Sequence, residues 1–145
     1  MGFILHSYSE YTEHEKQIMT KVSDDGFCSF LSQYGKFGIF YNDSVDKERT
    51  RFTIAHEIGH IVLQHTERND TRIEEEANYF ARCLLAPPVL LILKNVKSIE
   101  EVRNMSDISY QCAVNSFEAY KHRVKFYGKK LMGYEMGVKE MFYGS

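Results

Sequence analysis

The chain has 145 residues, net charge −2, 43% hydrophobic and 26% charged residues, and only 2 prolines. That is the size and mix of one soluble globular domain, large enough for a core without disulfide staples, and it excludes a disordered chain. The 3 cysteines, Cys28, Cys83 and Cys112, are odd in number and form no CxxC pair, so they read as reduced residues of a cytoplasmic protein rather than as a thiolate metal site.

The first residues hold only a short apolar patch, Phe3, Ile4 and Leu5, which is not the pattern of a signal peptide, and no apolar run reaches the roughly 18 residues of a membrane span. Residues 9–22 then read as a helix, with Tyr11, Glu15, Ile18, Met19 and Val22 at helical spacing, broken by Asp24, Asp25 and Gly26. Residues 27–41 read as a β-hairpin turning at Gln33, Tyr34, Gly35 and Lys36. After the capping cluster Asn42, Asp43, Ser44 and Asp46, a helical pattern runs from about 47 to 65, followed by a polar loop at 66–71. A second helix is expected over 72–86 and should stop at Pro87 and Pro88. A short apolar segment and two helices near 98–105 and 109–123 complete the regular part. Residues 128–145, with four glycines among Tyr, Phe and Met, carry no assignable pattern.

Charge is unevenly spread. Residues 1–93 hold 9 basic and 14 acidic groups (−5), and residues 94–145 hold 9 basic and 6 acidic (+3). Neither value is that of a nucleic-acid binder. The cluster Lys121, Arg123, Lys125, Lys129 and Lys130 reads as a solvated helix face.

His56-Glu57-Ile58-Gly59-His60 is an H-E-x-x-H sequence inside an expected amphipathic helix. Positions i and i+4 share a helix face, so His56 and His60 can both reach one Zn²⁺, and Glu57 can act as general base on a water there. A catalytic zinc needs a third protein ligand and one open position. Helical phase favours Glu74, which shares the inward face with Ala77 and Ala81, and leaves Glu75 as the fallback. Asn78, one turn beyond Glu74, can orient His56 or His60. His65 is out of phase with both histidines and reads as a helix C-terminal residue favourable to the dipole.

RFTIAHEIGHIVLQH (51–65) followed by EEEANYFARCLLAPP (74–88), with GIFYNDS (38–44) ahead of them, resembles the ImmA/IrrE family of zinc metallopeptidases. The resemblance implies an α+β, zincin-like fold, a small antiparallel sheet or hairpin packed on a helical core. It implies one metallopeptidase domain over 1–124, with a catalytic core at 26–90, C-terminal helices at 91–124, and a tail of unassigned structure at 125–145. It assigns zinc to His56, His60 and Glu74 and the catalytic base to Glu57. It implies a protein substrate, a helix-turn-helix repressor, cleaved to derepress mobile-element or stress genes. A zinc-bound module that sequesters a repressor without turnover is the alternative. Residues 98–120 also have a helix-turn-helix outline. At the start of its second helix, Ser109-Tyr110-Gln111-Cys112, only Gln111 suits base reading, which argues against direct DNA binding.

Overall fold

A computed structural model describes residues 2–66 and 70–144. Its residues gather into two units, Met1–Ala81 and Arg82–Ser145.

In the first unit, β1 (Phe3–Ser7) leads through a 3-10 turn at Tyr8–Glu10 into α1 (Glu13–Val22). Thr12 caps α1 by accepting from the Glu15 backbone N–H, while the Glu15 carboxylate accepts from the Thr12 N–H. The expected hairpin is present as β2 (Gly26–Leu31) and β3 (Lys36–Tyr41), with Gly35 at φ +60° in the turn. β1, expected only as an apolar patch, pairs in parallel with β3, Leu5 opposite Ile39. The sheet order is therefore β1-β3-β2, a mixed sheet in which the expected hairpin is the antiparallel part and β1 adds a parallel strand. The architecture is α+β, as expected.

The two sheet faces differ. Ile39 is fully buried on the face that α2 (Lys47–Val62) covers. Gly26 starts β2 on that face because a Cβ there would lie 2.7 Å from Thr53 Cγ2 of α2 and 2.6 Å from the Phe40 carbonyl. On the opposite face Phe40 stacks on Phe27 at 5.0 Å and on His6 at 5.4 Å. Asp46 caps α2, its carboxylate accepting from the Arg49 N–H at 2.8 Å.

α2 ends three residues earlier than its sequence pattern suggests. Gln64 takes a left-handed conformation (φ 57°), the Gln64 N–H reaches Ile61 O and the His65 N–H reaches His60 O at 2.9 Å. This is the paired closure of a Schellman motif. The polar loop expected at 66–71 lies partly outside the described residues. α3 (Thr71–Leu85) follows.

The second unit contains α4 (Pro88–Lys94), α5 (Ile99–Ser106), α6 (Tyr110–Tyr127) and α7 (Gly133–Tyr143). Pro88, expected to stop a helix, opens the next one at its first turn, where the missing N–H costs nothing. Ser98 and Ser109 cap α5 and α6. Leu91, Val102, Ile108 and Ala113 form the buried centre. The basic cluster is not one solvated face: the Arg123 guanidinium grips the buried Glu135 carboxylate with both terminal nitrogens. The unassigned segment thus completes α6 and forms α7.

The stretch Thr71–Lys94 is apolar and long enough to cross a bilayer by composition alone. It is divided into helices of 15 and 7 residues. At 1.5 Å per residue, neither spans a hydrocarbon layer of about 30 Å.

Candidate metal centre

α2 carries His56, Glu57 and His60 in its second half, where the helix is covered by the sheet. Glu57 and His60 are 4% and 1% exposed. One donor atom from each of the three residues lies within 4.8 Å of the others. α3 brings a carboxylate to the same point. Glu74 Oε2 is 3.0 Å from His56 Nε2, Glu74 Oε1 is 3.3 Å from His60 Nε2, and the two Nε2 atoms are 2.9 Å apart. Donors held about 2.0–2.1 Å from one tetrahedral ion stand about 3.3 Å apart, so the two nitrogens and the Glu74 carboxylate fit around a single small cation. Two imidazole nitrogens and one carboxylate oxygen are also the donor chemistry of a divalent transition metal.

Asn78 Oδ1 lies 2.8 Å from His56 Nδ1. An amide oxygen only accepts, so His56 carries a proton on Nδ1, which leaves Nε2, beside Glu74 and His60, as the nitrogen that could bind an ion. Glu75 is exposed, and among the described residues it reaches none of these groups.

His65 is placed differently from its sequence reading. The Schellman turn folds it back over the helix end, and its Nδ1 stands 3.0 Å from His60 Nδ1. Its Nε2 is 3.0 Å from Glu76 Oε2, and Glu76 Oε1 accepts from Arg72 Nε at 3.0 Å. The His65 hydrogen bond, and then the Arg72 guanidinium, hold the Glu76 carboxyl below the usual carboxylate range. The phase argument treated residue 65 as helical. A helix ending at Leu63 instead puts residue 65 against residue 60, because a Schellman closure joins positions five apart.

Tyr8 is buried and donates to Ser23 O at 2.9 Å. Burial first, then the charge of Glu57, push its phenol up to about 12. Its hydroxyl is committed to Ser23, so it is not a free donor at the centre.

A family model described as the IrrE N-terminal-like domain of peptidase family M78 matches residues 14–124. The chain belongs to this family. It is the family that the 51–65 and 74–88 blocks resemble. No curated protein and no solved structure matches the chain. M78 membership supports a metallopeptidase-type function and a metal cofactor, and His56, Glu57 and His60 supply the group that such a function needs.

Proposed function

We propose that the chain is a zinc-dependent endopeptidase that holds its ion with His56, His60 and Glu74 and uses Glu57 as general base. The observation that supports it most is the approach of two histidine nitrogens to 2.9 Å, with the two oxygens of one carboxylate 3.0 and 3.3 Å from them, beside a buried glutamate. A two-histidine, one-glutamate set is a zinc set in hydrolytic sites and leaves a position open. Zinc supplies Lewis acidity there, acidifying a water and polarising the scissile carbonyl. Glu57 takes the proton of the attacking water on its carboxylate and passes it to the leaving amine. Asn78 holds His56 in the tautomer that keeps Nε2 free to bind.

The substrate in this reading is a helix-turn-helix repressor, and cleavage derepresses mobile-element or stress genes in the cytoplasm. Its support is the resemblance of the two sequence blocks to the ImmA/IrrE family. Direct DNA binding is no part of the reading, since the Gln111 amide at the start of α6 is turned to Asn115 Oδ1 at 3.2 Å.

The test is co-expression with the repressor encoded nearest the gene, wild type beside Glu57→Gln. Wild type should give discrete fragments, and Glu57→Gln should keep its metal and lose about 10²–10⁴-fold in cleavage rate. Equal cleavage by the two proteins removes Glu57 from the mechanism. A metal-loaded wild type that binds the repressor and leaves it intact favours the sequestering module.

A further inference from the structure

We propose that His65, anchored by Glu76, is a positioning residue that accepts the His60 Nδ1 proton and so fixes the His60 ring with its Nε2 lone pair towards His56 and Glu74. The inference deepens the zinc-site reading. It rests on that reading, since Glu74 Oε1 stands 3.3 Å from His60 Nε2 and a bound cation is what leaves that nitrogen bare beside a carboxylate.

Donor chemistry sets the direction of every proton in the chain of contacts. Arg72 can only donate, and the Glu76 carboxylate can only accept. His65 Nε2, 3.0 Å from Glu76 Oε2, therefore carries a hydrogen. A neutral imidazole with its proton on Nε2 has an acceptor at Nδ1. That acceptor faces His60 Nδ1 at 3.0 Å, so when Nε2 binds the ion His60 donates its Nδ1 proton there. His60 is thus held as His56 is held by Asn78, through a different partner.

Burial screens the contact between His60 and His65 from water. The His60 side chain is 0% exposed and that of His65 7%, so water does not compete for the Nδ1 proton. The rings stand 5.1 Å apart at 70°, edge to face. The backbone enforces the same approach, because the His65 N–H bonds to His60 O at 2.9 Å and Gln64 takes the left-handed conformation that the turn requires. A surface histidine has one nitrogen in water, whereas both nitrogens of His65 are engaged.

The experiment follows the His60 Nδ1–H proton by ring ¹⁵N–¹H correlation in zinc-loaded protein and, separately, zinc affinity by chelator competition. In wild type that proton should be hydrogen-bonded, downfield and slow to exchange. In His65→Ala it should move upfield and exchange fast, with zinc affinity falling about 10–100-fold. His65→Gln should recover most of both effects, since its Oε1 can accept the same proton. Should His65→Ala fail to fold, Glu76→Leu leaves His60 and His65 in place, frees the His65 tautomer, and should give the same change with a smaller loss of affinity. An unchanged His60 Nδ1–H signal in these variants overturns the proposal, even if zinc binding weakens. A folded wild type that takes up no zinc sinks the metal reading instead.

Discussion

Gly59 of α2 faces Phe80 of α3 so closely that a Cβ at Gly59 would lie 3.1–3.2 Å from the Phe80 ring and β-carbon. The bare backbone at Gly59 lets α3 approach near enough for Glu74 to reach both histidines. The middle of H-E-x-x-H thereby sets the reach of a carboxylate that lies outside the motif.

Gly59→Val should destabilise the fold by about 1–3 kcal/mol, the usual cost of overpacking, and weaken zinc binding through the displaced α3. Denaturant unfolding and chelator competition measure the two effects. Phe80→Ala in the same chain should restore metal binding by making room. Wild-type midpoint and affinity in Gly59→Val would show that the contact does not set the spacing.

Zinc content gives the most direct check on the donor set. Purified wild type should hold about one zinc per chain, and Glu74→Ala should lose it on dialysis, because two histidines alone leave the ion under-coordinated. Glu75→Ala should match wild type, since Glu75 is exposed and away from the site. Loss of zinc from Glu75→Ala with retention in Glu74→Ala would reverse the assignment.

The H-E-x-x-H helix was legible because its information is local: the i, i+4 repeat and the Asp46 cap need no partner to be read. The approach of Glu74 to the two histidines was legible through helical phase, as the face it shares with Ala77 and Ala81 is the one that packs inward. His65 was not, because its position depends on a left-handed Gln64, and no glycine or asparagine there announces the turn. β1 was missed because a five-residue terminal strand gains its partner in β3, some thirty residues on. α7 contains Gly133 and Gly137 at positions that oppose helix formation, and the buried Arg123–Glu135 pair, invisible in a local window, secures it.

That pair gives α7 an acid limit. Hydrogen bonding from Arg123, then from the Met132 N–H, and then the Arg123 charge hold the Glu135 carboxyl below its ordinary 4.5. A lowered folded-state value means stabilisation that is full above 4.5 and is lost as pH falls through the lowered value. Amides of Gly133–Tyr143 should keep their hydrogen-exchange protection from pH 7 to 5 and lose it below 4.5. Glu135→Ala should expose them at neutral pH, since it leaves Arg123 unpaired. Protection independent of both changes would show that apolar contacts alone hold α7.

Tyr8 gives the first unit a limit at the other end. Its phenol ordinarily titrates near 10 and is pushed up to about 12, so the folded state binds the extra proton between these values. Stability should fall as pH rises through that window, by about 2–3 kcal/mol in total in metal-free protein. Tyr8→Phe should flatten the dependence and cost about 0.5–1.5 kcal/mol at neutral pH for the lost bond to Ser23 O. Urea midpoints at pH 8 to 11.5 make the comparison. An equal slope in both proteins would place the titration elsewhere.

Glu74 comes from α3 while its partner histidines come from α2, and only 14 positions separate His60 from Glu74. Closing so short a loop costs about 2 kcal/mol of chain entropy, so an ion that joins the two helices orders near neighbours and not the whole domain. The same arrangement makes the backbone between them a point of failure. One peptide bond cut after His65 would put the Glu74 carboxylate on a separate chain, held to the histidines by non-covalent contacts alone, while leaving every donor chemically intact.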